Sequence, residues 1–379
     1  MHLCLKCKGK LMCGRDRCLF LPPPPSIVEE LDTTPPSIFV GRTGYPKVFA
    51  GPLLTPSSEN PEYFDSPWEW SGRVEDVVSI RMQVARGMKL LDVKKASDPD
   101  RYLSNLQEAI ASTAHLDVEA EMLGIVRKPE IDGIAKPAGL SVKIESFELA
   151  ENPKIPAKVE KLYYDDLKAT DSVFYLFESG FKTHYIQKLL SAGMLGEQKR
   201  RKLVPTRWSI TAVHDIIAER LKLQIAEYPE ISETLIFRYE HFGNKFFVVL
   251  YPSRYSFKLY ELWRKGAAWS DDTWVGFDSE TILKKRKYSN LSGGYYAARL
   301  PVLEYLHSIR RQAGVLVLRE ITPEYIAPLG VWVVEEGVRK AMSSKPECSE
   351  LPDLNDLKNL LKTLNLKSLK SRQTSLFEF

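Results

Sequence analysis

The sequence of 379 residues contains no long apolar run. Nothing in it approaches the roughly 18 consecutive apolar residues of a membrane-spanning helix, so no membrane partner is expected. Bulk charge is missing too: 53 Lys and Arg face 49 Asp and Glu, a net charge of +4. Any nucleic-acid surface must therefore come from local clustering and not from overall basicity. Near the N-terminus, Lys6, Lys8, Lys10, Arg15 and Arg17 break up any secretory apolar segment. A cytoplasmic, nucleoid-associated protein is the expectation. The Walker A loop, HExxH and GxSxG signatures are all absent, which removes the enzyme classes built on them and leaves any catalytic residues unknown.

Cysteine is scarce and lopsided. There are five, and four of them, Cys4, Cys7, Cys13 and Cys18, fall in a C-x2-C-x5-C-x4-C pattern. Tetrahedral zinc takes four thiolates about 2.3 Å away, and a C-x2-C turn supplies two from one knuckle. So short a peptide cannot bury a core, and bound metal would supply its folding energy. Zn is therefore the expected cofactor, in a closed structural site. Reduced thiols in a loose tail and two disulfides are the alternatives. Cys348 has no partner in the pattern.

Composition divides the chain into a zinc-binding module over 1–21, a core over 22–345, a basic Leu-rich helix or linker over 346–371, and a terminal peptide over 372–379. Pro22–Pro25 make a stiff spacer after the first part. In the core, "GRVEDVVSIRMQVARG" and "SDPDRYLSNLQEAIAST" read as helices, the second with Ser97 as N-cap. Alternation from Gly133 to Val173 reads as strands. "TRWSITAVHDIIAERLKLQIAEYP" is a helix, with Ser209 as N-cap and Ile210, Val213, Ile217 and Leu221 on one face. "ETLIFRYEHF" and "KFFVVLYP" form a hairpin turning near Gly243-Asn244. A helix over "YAARLPVLEYLHSIRRQAG", a strand "VLVLREI" and a closing segment "GVWVVEEGVRKAMSS" complete the core. The expected fold is a mixed α/β (α+β) core with a small zinc module and a flexible C-terminal tail, without internal repeats.

Two basic runs stand out, Lys199–Lys202 ("KRRK") and Lys284–Lys287 ("KKRK"). Each leads into aromatics and a turn, and cations with exposed rings suit phosphates and unpaired bases. Gly293-Gly294 would let backbone N–H groups approach an anion. The candidate DNA- or nucleotide-binding set is Arg42, Lys199, Arg200, Arg201, Lys202, Arg207, Trp208, Arg299, Arg310 and Arg311. Arg207, Arg299, Arg310 and Arg319 could clamp phosphate. Asp215 with Glu219, and Glu304 with His307 and Arg311, share helix faces suited to a metal or to acid–base work. For each cluster, an ordinary solvated surface is the commoner outcome.

Four stretches, "VGRTGYPKVFAGP", "VPTRWSITAVHD", "GGYYAARLPVLEYLHSIRRQA" and "REITPEYIAPLGVWVVEEGVRKA", resemble the archaeal NreA family of DNA-repair proteins. The cysteine knuckles fit the same family. The resemblance implies work in DNA-damage repair with the PCNA sliding clamp, and carries no catalytic residues over. "QTSLFEF" resembles a PCNA-interacting peptide: Gln373, Leu376 three positions on, and Phe379 three further, with Phe377 between. In a 3₁₀ turn residues three apart eclipse, so Leu376 and Phe379 form one apolar plug, while Gln373 anchors the start through its amide. The expected function is a repair factor recruited to PCNA by this peptide, whose core binds DNA or a nucleotide. The alternatives are a metal-dependent nuclease or nucleotide hydrolase, and a non-catalytic adaptor.

Overall fold

In the segment Lys47–Leu54, Val48 and Ala50 are buried while Lys47 and Phe49 are exposed, the period-two signature of a strand with one covered face. This strand belongs to the first of two six-stranded sheets in the computed structural model, which describes residues 11, 31–34, 37–55, 60–127, 139–268 and 270–349. The chain divides into two compact units, one running to Ile217 and the other starting at Ala218.

The N-terminal unit holds β1 (Thr33–Thr34), β2 (Ile38–Val40), β3 (Lys47–Leu54), β4 (Ala85–Asp92), β5 (Leu116–Arg127) and β6 (Ser141–Leu149), in the order β1-β5-β6-β4-β3-β2. Only the β4–β6 pair is parallel. Its helices are α1 (Val74–Met82), α2 (Arg101–Ala111), α3 (Ala157–Tyr164), α4 (Ala169–Glu178) and α5 (Thr183–Ser191). Helix α2 buries Leu103, Leu106 and Ile110, and Asn105 donates to the Phe147 carbonyl on β6. Its N-cap is Asp100, whose Oδ1 accepts from the Leu103 amide at 3.0 Å, and not Ser97.

Two other expectations need correcting. The helical reading of "GRVEDVVSIRMQVARG" holds only to Met82, because Ala85 onward is drawn into β4 between β3 and β6. Of the strands expected across Gly133–Val173, β6 is present, but α3 and α4 follow it. Their buried pairs, Val159 with Leu162 and Val173 with Leu176, stand three apart and so share a helical face.

Helix α6 (Thr206–Ile225) contains the boundary between the units. It starts at Thr206, and Ser209 lies inside it, donating back to the Thr206 carbonyl. The C-terminal unit holds β7 (Thr234–His241), β8 (Asn244–Tyr251), β9 (Ser256–Trp263), β10 (Trp274–Thr281), β11 (Gly314–Ile321) and β12 (Glu347–Ser349), in the order β10-β9-β11-β8-β7-β12. The β7–β8 hairpin turns at Phe242 and Gly243, both with positive φ (48° and 67°), as the twist of a two-residue hairpin loop demands. Helices α7 (Ser292–Ser308) and α8 (Trp332–Ser343) complete the unit.

The mixed α/β core is thus as expected. The four cysteines of the proposed zinc module and the C-terminal peptide lie outside the described residues. Among the described residues, no helix is long and apolar enough to cross a membrane.

Candidate nucleic-acid interface

Three loops of the N-terminal unit are stitched together by main-chain hydrogen bonds. The β2–β3 turn meets the segment after β4 through Val93 N–H to the Pro46 carbonyl, at 2.9 Å. That segment meets the loop before α6 through Leu203 N–H to the Val93 carbonyl, at 2.8 Å. The circuit closes where Val40 N–H donates to Thr206 Oγ1, at 2.9 Å. These loops bring exposed Arg42 and Lys47, Lys94 and Lys95, and Lys199, Arg200, Lys202 and Arg207 into one neighbourhood. Of the acids on the same segments, Glu197 pairs with Arg200 at 3.1 Å, Asp92 accepts from the Lys94 amide, Asp100 accepts from the Leu103 amide, and Asp98 is exposed. Eight cations against four carboxylates leave a positive surface.

Aromatic rings lie among these charges. Tyr45 and Trp208 are 45% and 47% exposed, and their ring centroids stand 5.5 Å apart, tilted by 47°. Rings of that size are usually buried, and side by side in a cationic surface they offer a stacking platform for unpaired bases.

The structure sorts the "KRRK" run by direction. Lys199, Arg200 and Lys202 point to solvent, whereas Arg201 is 4% exposed and turned inward. Its Nε donates to the Gly196 carbonyl at 2.9 Å and Nη2 to the Tyr163 carbonyl at 2.8 Å, with the guanidinium 4.8 Å from the Tyr163 ring. Arg201 ties the loop to α3 and is removed from the nucleic-acid set.

Arg299 is removed for the same reason. It is fully buried in the C-terminal unit, donating to Glu280 at 2.7 Å and to Glu219 at 3.2 Å. Lys222 joins the same carboxylates, at 2.7 Å from Glu219 and 3.3 Å from Glu280. The two cations and two carboxylates compensate one another. Burial and the nearby Glu280 carboxylate push the Tyr255 phenol well above its usual range. Breaking such a buried group from one side costs about 3–5 kcal/mol. Arg299→Met should therefore lower stability by that amount in a urea titration, and an unchanged midpoint would contradict the structural role.

Arg319 is likewise committed, to Glu261 at 2.8 Å and to Asn244 Oδ1 at 2.7 and 2.9 Å. Gly294 sits in the first turn of α7, where a Cβ would stand 3.2 Å from Glu261, so its neighbour is a protein carboxylate and not space for an anion. In the run 284–287, Lys285 pairs with Asp278 at 2.6 Å while Lys284, Arg286 and Lys287 are exposed. Arg310 and Arg311 are exposed just beyond α7 in the C-terminal unit, away from the three loops in sequence.

Of the acid clusters, Glu219 is taken by Lys222 and Arg299, and Glu304 by Arg339 at 3.2 Å. Among the described residues, no group of three or more His, Cys, Asp or Glu side chains assembles that could hold a metal ion. The sequence reading missed Lys94, Lys95, Lys47 and Tyr45 as members of the patch. The aromatic and cation flanking Pro46 were the available signal for the last two.

Comparison with known proteins agrees with the resemblance of the four stretches. The family model described as Archaeal Nre, N-terminal matches residues 24–270, and that described as Archaeal Nre, C-terminal matches 280–377. The break between them, residues 271–279, falls within the second sheet and takes in most of β10, and is not at the division between the compact units. The chain is 53% identical to DNA repair protein NreA of Archaeoglobus fulgidus over 385 residues, covering 99% of this chain and 98% of that protein. It is 36% identical to DNA repair protein NreB of the same organism, covering 90% and 88% of the two chains. Identity to DNA repair protein NreA of Haloferax volcanii is also 36%, covering 82% and 77%. No solved structure matches. With family matches that run through both compact units and a relative matched over 98% of its length, the chain belongs to the archaeal Nre family.

Proposed function

We propose that this chain is a DNA-repair factor that holds DNA on the cationic surface of its N-terminal unit. The observation that carries the reading is the junction of three loops that gathers eight exposed cations around the Tyr45–Trp208 pair. The cations attract phosphates of any sequence, and the exposed rings favour strands whose bases are unpaired. Repair is the role named for the curated relatives in both organisms. In fluorescence anisotropy, Trp208→Ala should weaken binding of a single-stranded oligonucleotide by about 1–3 kcal/mol, the worth of one base stack. Duplex binding should change much less. Equal losses on both forms, or none on either, would remove the stacking platform.

Two further parts of the reading rest on sequence. Cys4, Cys7, Cys13 and Cys18 lie outside the described residues, and their spacing supports a structural zinc site. Freshly purified protein should hold about one zinc per chain, and a Cys4→Ser, Cys7→Ser variant should lose it; unchanged metal content would end the assignment. Gln373, Leu376, Phe377 and Phe379, also outside the described residues, support recruitment to the PCNA clamp. Tethering of that kind raises the local concentration of the patch at a repair site, so a modest intrinsic affinity for DNA suffices. A cytoplasmic, nucleoid-associated location follows from the same reading.

A further inference from the structure

A second feature of the N-terminal unit lies apart from the three loops: a cavity of about 300 Å³ between the 3₁₀ segment Pro61–Asp65 and the first turns of α5. That volume is at the small end of the range for ligand pockets, roughly 300–1,000 Å³. Its floor is Asp65, 5% exposed. Asp65 Oδ2 meets His184 Nε2 at 3.1 Å and Lys188 Nζ at 3.4 Å, and Oδ1 meets Arg81 at 3.3 Å. Burial by itself would raise this carboxyl, but His184 and Lys188, then Arg81, outweigh it and hold Asp65 well below the usual carboxylate range. The floor is therefore an ionised carboxylate whose charge is already more than matched.

The walls are aromatic. Phe181 and Tyr185 stack at 5.5 Å, and Trp68 packs edge-on to His184 at 5.2 Å. At the rim, exposed Lys182 places Nζ 4.3 Å from the Trp68 ring centroid. The remaining lining carboxylate, Glu62, is bonded to His115 at 2.9 Å. Arg81, Lys182 and Lys188 thus face Asp65, Glu62 and Glu69, the last accepting from the Trp68 indole at 3.1 Å, so the fixed charges balance before either histidine is protonated. Aromatic walls alone would also suit a quaternary ammonium ligand. Here the cation position against Trp68 is already filled by Lys182, and Lys188 also lines the cavity, which favours an anion with a flat, stackable body. The contact to Asp65 occupies one of the three N–H donors of Lys188, and Lys182 stands at the rim, so a phosphate has two ammonium groups to meet.

We propose that this cavity binds a single nucleotide, its base against Trp68, Phe181 and Tyr185 and its phosphate against Lys182 and Lys188. The nucleotide comes either free from solution or extruded from a strand. Extrusion of one base is affordable, since unstacking costs only a few kcal/mol and least where the base is mismatched or already single-stranded. Helix α5 runs from this cavity to Ser191, which bonds the Val204 carbonyl in the cationic loop. At 1.5 Å per residue, His184 and Ser191 are separated by about 10 Å along the helix, a few nucleotides of strand at most. The extruded form rests on the DNA reading above, and the free form does not.

The test uses the full chain with dAMP, deoxyadenosine and inorganic phosphate in calorimetry, and a single strand carrying 2-aminopurine in fluorescence. Wild type should bind dAMP at least tenfold more tightly than either deoxyadenosine or phosphate. Lys182→Glu, on an exposed side chain that leaves the fold intact, should cost at least tenfold. Binding of dAMP without a 2-aminopurine response assigns the cavity to free nucleotides; a response lost in Lys182→Glu, without dAMP binding, assigns it to an extruded base. If wild type shows neither signal, or Lys182→Glu behaves like wild type in both, the proposal is wrong. Strand binding retained by the patch in that case would leave the DNA reading standing.

Discussion

Replacing both Leu376 and Phe379 by alanine is expected to abolish detectable binding to the PCNA clamp. In the proposed clamp peptide each side chain serves as an apolar anchor, and anchors of this kind typically cost about 2 kcal/mol or more when truncated. The two stand three residues apart, so a 3₁₀ turn points them into the same pocket, and a short peptide has few contacts left without them. A synthetic Lys370–Phe379 peptide should bind the clamp unaided. Its affinity falls below that of the whole chain only if the Leu-rich segment over 346–371 also contributes. The melting temperature of the double variant should match wild type, because the reading puts the anchors on the clamp and not in the core. Calorimetry against the cognate clamp decides: wild-type affinity in the double variant, or a lowered melting temperature, would show that this segment is not a clamp ligand.

How much of this was legible in the sequence depended on how local each signal was. The β7–β8 hairpin could be read directly, since Gly243 and Asn244 sit between two apolar runs and the turn geometry is set by adjacent residues. Strand β11 was equally legible as an unbroken apolar run, buried on both faces between β8 and β9. Helices α3 and α4 were not. Each is short, and only two of its apolar residues are buried, too few to separate a spacing of three from a spacing of two. The loss of helix after Met82 was equally hidden, because the competing partners of β4 are strands far away in sequence.

The candidate site shows the same limit. "KRRK" announces four cations, but which of them faces solvent is decided by carbonyls at Leu162, Tyr163 and Gly196. Arg299 looked like a phosphate clamp because arginine chemistry is identical in both roles; Glu219 and Glu280 decide between them. Tyr45 and Trp208 lie in separate stretches of the chain, and nothing in either stretch brings the rings together. The Asp65 cluster left no sequence signal at all, with His184 119 residues away.

The central claim, that the three-loop surface holds DNA through its outward cations, is tested most directly by the salt dependence of binding. The variant to compare with wild type carries Gln at Lys199, Arg200, Lys202 and Arg207, and keeps Arg201, whose loss would loosen the loop. Each phosphate contact releases about 0.7–0.9 of a counterion, so the slope of log K against log salt should become shallower by as much as about 3. Affinity at low salt should fall with it, and the two curves should converge as salt rises. A variant that keeps both the wild-type slope and the wild-type affinity would contradict the account.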